Sequence, residues 1–284
     1  MKLARFTVEG HTRLGKVVDD RIVDISAVVP GIGDSMRLLL QQLDTARDAI
    51  DAVEAPSFAL ADVSLEAPIA DPSKYLAIGM NYQAHADEAA AAGKPVPTSQ
   101  LWFNKQVSCI NGPFADVDVP KSGPDMVDYE AELGVVIGKR CRHVSREDAR
   151  SVIAGYFVAN DVTARDWQFR SPTFTLGKSF DTHGPIGPWI TTDDEVADPH
   201  ALTLTLDLNG EERQRTSTGD MIYDIYEQIA YLTEVMTLEP GDLIATGTPA
   251  GVGIAGGRFM KDGDVVRVAV EGLGAIENRF VNEA

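Results

Sequence analysis

Leu202-Thr203-Leu204-Thr205-Leu206-Asp207-Leu208-Asn209-Gly210-Glu211-Glu212-Arg213-Gln214 decides the fold class. Apolar and polar residues alternate up to Leu208, so an extended strand here has one apolar face and one wet face. Asn209-Gly210 follows. Both residues tolerate the positive φ that a two-residue hairpin turn requires, and Glu211 to Gln214 reads as the returning strand. Strands joined this way need no crossover helix.

The same pattern continues outward. Gly241 to Val281 alternates short strands with glycine-rich turns, and Tyr75 to Met80, Glu130 to Gly138 and Gly155 to Asp161 read as further strands. Helical spacing is expected in three places in this region. One is Gln83 to Ala92, closed by Gly93. Another is a short helix beginning at Ser145, with Asp148 in capping-box position. The third is Ile222 to Met236, with Ile225, Ile229, Leu232 and Met236 on one face. Without regular βαβ alternation, the expectation is a mostly β, α+β chain built on a rolled sheet or sandwich.

The N-terminal stretch reads as a small αβ module. Leu3 to Val8, Arg13 to Val18 and Arg21 to Ile25 are short strands. From Asp34 or Ser35 as N-cap, Met36, Leu38, Leu39, Leu40, Leu43, Ala46, Ile50 and Val53 recur at helical spacing. The prolines of Glu66-Ala67-Pro68-Ile69-Ala70-Asp71-Pro72-Ser73 mark a linker, giving domains 1–70 and 71–284.

Among 284 residues, 25 Lys and Arg face 43 Asp and Glu, a formal charge of −18. That field repels phosphate backbones, so nucleic acid is excluded as a general partner. Cys109 and Cys141 lack Cys-x-x-Cys spacing, which argues against a disulfide framework and a thiolate zinc site. Met1 to Gly10 has no continuous apolar core of the signal-peptide kind, and no apolar run approaches the ~20 residues that span a bilayer. The expected address is the reducing cytoplasm, with no membrane partner.

Chemistry concentrates in Tyr129-Glu130-Ala131-Glu132-Leu133-Gly134-Val135-Val136-Ile137-Gly138. On a strand, Glu130 and Glu132 share a face and repel one another. A divalent cation between them removes that cost; solvent exposure of both is the simpler reading of this stretch alone. Asp161 ends the apolar run Tyr156-Phe157-Val158-Ala159-Asn160, where a charge is expensive unless paired or metal-bound. Three carboxylates without Cys or His would form a hard oxygen site for Mg2+, Mn2+ or Ca2+. A non-catalytic acidic protein holding a structural Ca2+ is the alternative from another class.

His85 and Glu88 stand at i and i+3 on the Gln83 to Ala92 helix. A carboxylate orients an imidazole and raises its basicity, as activating a water requires; a surface His–Glu pair is the plainer alternative. Arg165 and Gln168 follow Asp161 closely, and Lys178 lies between a glycine and an apolar strand, a poor place for an idle surface lysine. Thr246-Gly247-Thr248-Pro249-Ala250-Gly251 lacks the lysine of a phosphate loop, and its hydroxyls and free N–H groups suit a carboxylate better. His11, His143 and His200 read as solvated and His183 as a weaker pocket candidate. Trp102, Trp167 and Trp189 read as core or pocket wall, and Asp193-Asp194-Glu195 as a solvated turn.

Taken in order, six motifs resemble the fumarylacetoacetate hydrolase family from about Lys74 to the C-terminus. They are Gly79-Met80-Asn81-Tyr82 with His85 and Glu88; Phe103-Asn104-Lys105; Tyr129 to Gly134; Asn160-Asp161-Val162-Thr163-Ala164-Arg165-Asp166; Gly177-Lys178-Ser179-Phe180-Asp181 with Gly184-Pro185; and Thr246-Gly247-Thr248-Pro249. The resemblance implies a mixed β-sandwich roll as the catalytic domain and a homodimer. It also implies Mg2+ or Mn2+ on Glu130, Glu132 and Asp161, with Ca2+ admitted by the same donors. By the same resemblance, Tyr82, Arg165, Gln168 and Thr248 contact a small 2-oxo acid substrate, and His85, Glu88 and Lys178 are catalytic. The implied reaction is hydrolysis of a C–C bond in a 2,4-diketo acid. Decarboxylation of an oxaloacetate-like acid and isomerisation or hydration of a 2-oxo-enoate are the alternatives on the same site. Met80 departs from the pattern, since relatives often carry Leu or Arg there, so any substrate carboxylate clamped by that Arg would need another partner. Gly93-Lys94-Pro95-Val96-Pro97-Thr98 is expected to lie over the pocket as a lid that helps set which acyl group fits.

Overall fold

The computed structural model describes residues 1–284. Strands Thr203–Leu208 and Glu211–Ser217 pair across Asn209 (φ 53°) and Gly210 (φ 78°), as the alternation and turn chemistry require. They belong to a five-stranded sheet ordered Glu211–Ser217, Thr203–Leu208, Val265–Val270, Gly274–Asn282, Val117–Val119. The larger sheet runs Ser57–Ala59, Arg21–Asp24, His11–Val18, Lys2–Val8, Gly184–Thr192, Ile153–Asn160, Ala131–Ile137, Leu243–Ala245, Tyr75–Gly79, Leu101–Lys105. Leu243–Ala245 pairs parallel to Tyr75–Gly79 and antiparallel to Ala131–Ile137, so the sheet is mixed.

Strand period sorts the side chains between two cores. Leu133, Val135 and Ile137 meet Leu204, Leu206 and Leu208 of the smaller sheet, and helix Ile225–Val235 adds Ile229 and Leu232. Val136, Phe157 and Ala159 face the other way, towards Leu39, Leu43 and Ile50 of the N-terminal helices. Each such fully buried Val, Leu, Ile or Phe side chain contributes about 1.5–3 kcal/mol of transfer free energy. This two-sided burial is why Ala131–Ile137 is uniformly buried.

The first strand, Lys2–Val8, joins the larger sheet directly, with Lys2 opposite Thr191 and Leu3 opposite Ile190. Ser64–Glu66, at the start of the proline-rich linker, also pairs with it. Several local expectations change. The Met36 to Val53 pattern breaks at Gln41-Gln42 into helices Met36–Leu40 and Leu43–Asp51. Ser145 and Asp148 bond one another, with Ser145 Oγ donating to Asp148 at 2.9 Å, and close a turn. Only a 3-10 segment, Ala149–Val152, follows them. The helix expected from Ile222 starts at Ile225, because Asp224 caps it reciprocally with Glu227. Asp193-Asp194-Glu195 is the solvated turn expected, a 3-10 turn with Asp194 and Glu195 exposed, and it also acts as a junction: Asp193 accepts from Tyr156 Oη at 2.8 Å and pairs with Arg150, Asp194 pairs with Arg47, and Glu195 takes the α-amine of Met1 at 3.0 Å.

Candidate active site

The acidic residues gather where Ala131–Ile137 and Ile153–Asn160 begin and end side by side, Ala131 opposite Asn160. Two bonds lock the ends together. Glu130 N–H donates to Asn160 Oδ1 at 3.0 Å, and Asp161 N–H donates to the Glu130 carbonyl at 2.9 Å. Glu130, Glu132 and Asp161 are all buried, and one carboxylate oxygen from each lies within 4.8 Å of the others.

Cations arrive from three other segments. Lys178 Nζ bonds Glu130 at 2.6 Å and Asp161 at 2.7 Å. Lys105 Nζ bonds the second oxygen of Asp161 at 2.6 Å and also donates to the carbonyls of Val162 and Lys178. Arg165 lies 2.7 Å from Glu130 and bonds Asp128 at 2.8 Å. Asp128 in turn accepts the N–H groups of Gly253 and Ile254, fixing the guanidinium from behind. Lys178 sits on a 3-10 turn, Thr175–Lys178, not at the edge of a strand. Gly177 permits this turn, since a Cβ there would lie 2.2 Å from the backbone N of Gln168.

The electrostatics of the floor are uneven. Burial works to raise the Glu130 carboxyl, but Lys178 and Arg165 outweigh it and hold the group down at about 2. Glu132 is pushed well above the usual carboxylate range by burial and by the neighbouring charges of Asp161 and Glu130, against which the Gly247 N–H at 2.9 Å is a small help. Gly247 reaches it through a φ of +101°, and a Cβ there would lie 2.7 Å from Asn81 Cβ. Glu132 has no ion-pair partner, so with Asp128 counted four carboxylates meet three cations and the floor is one cation short.

That shortfall is the test of fit for a metal. The donors are hard oxygens, one carboxylate is uncompensated, and the buried hydroxyls of Tyr75 and Tyr82 have no protein partner. Both tyrosines feel the Glu132 charge, which adds to burial in raising them. A divalent oxygen-seeking ion suits this set; a soft or thiolate-bound ion does not.

A cavity of about 850 Å3 opens above the floor. His85, Glu88, Glu130, Arg165, Gln168, Lys178 and Thr248 all line it. Glu132 and Asp161 lie buried beneath. Tyr82, expected to touch substrate, is 1% exposed and not part of the wall; its backbone bridges to Met221 instead. His85 Nδ1 and Glu88 Oε2 are 3.1 Å apart, and the other Glu88 oxygen accepts from Gly251 N–H at 3.3 Å. This ties the Gln83–Ala91 helix to the loop that carries Thr248. Thr248 Oγ1 accepts from Gln214 Nε2 at 3.0 Å, and Arg165 donates to Gln168 Oε1 at 3.1 Å. Lys94, Pro95, Val96 and Pro97 of the expected lid form part of the wall. Met80 also lines it, with φ at +54°. His183 is fully buried off the cavity, its Nε2 on the carbonyl of Asp118 at 2.9 Å.

Lys105, Asp128 and Gln214 went unassigned in the sequence. Lys105 had a signal: it falls in register with Leu101 and Phe103 on the inner side of its strand. A lysine at an apolar register position implies a buried carboxylate partner. Asp128 and Gln214 carry no comparable mark.

Residues 74–281 match the C-terminal domain of fumarylacetoacetate (FAA) hydrolases. The chain belongs to that family. A Burkholderia lata protein carrying a hydrolase name is 43% identical over 280 residues, 96% of each chain. Among solved structures, the maleylpyruvate hydrolase of Sphingobium sp. SYK-6, in complex with manganese(II) and pyruvate, is 37% identical. It covers 100% of both chains with a TM-score of 0.86. The 5-carboxymethyl-2-hydroxymuconate delta-isomerase of Mycobacterium smegmatis is 34% identical, again over 100% of both chains, with a TM-score of 0.81. The family thus includes hydrolases and isomerases, and the present chain is an enzyme of this kind with a carboxylate triad able to hold a metal.

Proposed function

We propose that this enzyme is a metal-dependent hydrolase that cleaves the C3–C4 bond of a 2,4-dioxo acid, giving a carboxylic acid and pyruvate or a homologue. The observation that carries the reading is the His85–Glu88 pair on the same cavity as Glu130, Arg165 and Lys178. Glu130, Glu132 and Asp161 would hold Mg2+ or Mn2+. Such an ion supplies Lewis-acid stabilisation of negative charge on substrate oxygens. The manganese and pyruvate held by the Sphingobium relative support both parts of this assignment.

The chain's own residues supply the remainder. Arg165, braced by Asp128, and Gln168 orient the 2-oxo acid end, and Thr248 offers a hydroxyl fixed by Gln214. His85 takes a proton from water, Glu88 holding the ring, and the hydroxyl oxygen bonds to C4 as the C4=O π pair moves onto its oxygen. When that carbonyl re-forms, the C3–C4 bond breaks with its electron pair passing to the C2–C3 unit as an enolate, and the proton taken up by His85 is delivered to C3. Lys178 offsets the charge that develops on the substrate oxygens. We infer further that the working form is a cytoplasmic homodimer; the two buried free cysteines accord with a reducing compartment.

Isomerisation of a 2-oxo-enoate is the second reading, favoured by the Mycobacterium smegmatis relative. The deciding experiment monitors loss of ultraviolet absorbance from an acylpyruvate with Mg2+ or Mn2+ present and after chelation. Pyruvate is measured as product, and oxaloacetate and a 2-oxo-enoate are run in parallel. Metal-dependent pyruvate release from the acylpyruvate supports hydrolysis. Turnover of the enoate alone replaces it with isomerisation.

A further inference from the structure

The cavity is larger than a short acylpyruvate needs, and its wall changes character from floor to mouth. Glu130, Arg165, Gln168 and Lys178 are 1–7% exposed, whereas Lys94 and Phe169 are exposed. Between these levels the wall is apolar, with Ile78, Met80, Leu101, Phe103 and Ile254 among its members. A purely hydrocarbon acyl group would be served by such a wall up to its rim.

The rim, however, carries a cation. Lys94 Nζ lies over the ring of Phe169, 4.5 Å from its centroid. The contact fixes a long, flexible side chain that would otherwise sample solvent. Phe169 directly follows Gln168, so the ammonium is anchored one residue outward from the Arg165–Gln168 pair. The backbone beneath it is set as well, since Lys94 N–H donates to Ala89 O at 2.9 Å and Pro95 and Pro97 stiffen the segment after it. The other basic side chains of the cavity are committed: Arg165 to Asp128 and Glu130, Lys178 to Glu130 and Asp161, and the His85 imidazole to Glu88. Lys94 is the lining cation with no carboxylate within ion-pairing distance.

We propose that Lys94 is a specificity-determining residue that recognises an anionic group, a carboxylate, at the far end of the acyl portion. The substrate would then be a dicarboxylate with a 2-oxo acid head on the floor, an apolar middle on the cavity wall and a second carboxylate at the mouth. This inference rests on the 2-oxo acid reading given above.

The test uses 2-oxohexanoate and 2-oxoadipate, six-carbon acids that differ only in the terminal carboxylate. Binding to the Mn2+-loaded full chain is measured by calorimetry at low and high salt, alongside cleavage of an acylpyruvate with and without a terminal carboxylate. Wild type is expected to prefer 2-oxoadipate by about three- to tenfold, as suits a charge pair that stays partly wet, and less at high salt. Lys94→Gln should bring the ratio to about one, Lys94→Glu should reverse it, and Phe169→Ala should lower it part-way. A wild-type ratio near one, a ratio untouched by Lys94→Gln, or no binding of either acid overturns the proposal. Preference with no C–C cleavage leaves Lys94 in this role and removes the hydrolase reading instead.

Discussion

The two walls of the active-site cavity are built in opposite ways. On the sheet side, four carboxylates and three cations from five separate segments interlock in full burial, each held by at least one other fixed group. On the helix side, His85 and Glu88 ride on a nine-residue alanine-rich helix that buries only Ala86. A helix that short is marginal alone in water. Its connection to the rest of the site runs through one bond, Glu88 to Gly251 N–H. The contrast assigns separate duties: charge and substrate orientation to the rigid sheet, and proton transfer to an element able to move.

If that division is right, removing the ion should have the largest effect. Exhaustive chelation should abolish turnover, with rescue by Mg2+ or Mn2+. Glu132→Ala should erase the rise in Tm that excess metal gives wild type by mass action. Full activity after chelation would leave the triad a purely structural cluster. Next, His85→Ala should lower hydrolysis by the ~10²–10⁴ typical of a positioned general base while leaving metal affinity near wild type. Any oxaloacetate decarboxylation should fall less, because it needs no activated water. Equal losses would mean that His85 positions substrate.

The third effect is on stability and separates the walls directly. Lys105→Met leaves Asp161 buried with one partner fewer and should cost about 3–5 kcal/mol in urea denaturation. Glu88→Gln touches a partly exposed pair at the cavity wall and should cost no more than about 1 kcal/mol. Similar costs for both would erase the contrast.

The same contrast governs what was readable in the sequence. Pairs close along the chain were legible: His85 with Glu88, Glu130 with Glu132, and the Asn209-Gly210 hairpin come from period and turn chemistry. Partners far apart were not. Lys105 reaches Asp161 across 56 residues, and Gln214 reaches Thr248 across 34. Register marks Lys105 as inward-facing but names no partner for it, and Gln214 has no local signature at all, because which charge meets which is a property of the assembled sheet. The inward setting of Tyr82 was not legible for a related reason. It neighbours Asn81, whose side chain ties Tyr223 and Thr246, and the turn that serves this tie directs Tyr82 inward. Likewise Asp193-Asp194-Glu195 is a solvated turn as read, but its pairing with Arg150, Arg47 and the α-amine shows only once the fold brings them to it.

A further effect appears only in acid, and it asks whether the sheet wall extends to the histidine behind it. His183 is fully buried, its ring 5.3 Å from that of Phe180, with Nε2–H donating to the Asp118 carbonyl and Nδ1 unpartnered. Burial, with a small push from the Lys105 charge, lowers it from 6.5 to about 3, against the weaker opposing pull of that carbonyl. Between those values the unfolded chain binds a proton that the folded chain refuses, so stability must fall as pH falls. The contribution is complete above pH 6.5, erodes below it and is spent near pH 3. While the difference is one whole proton, the slope is about 1.4 kcal/mol per pH unit. His183→Gln keeps an N–H donor for Asp118 and cannot titrate, so its stability should decline less than wild type between pH 7 and 5. Urea denaturation at several pH values checks this. Parallel declines in the two proteins would mean that His183 takes up its proton without unfolding, and that the wall behind Lys105 is wetter than its burial implies.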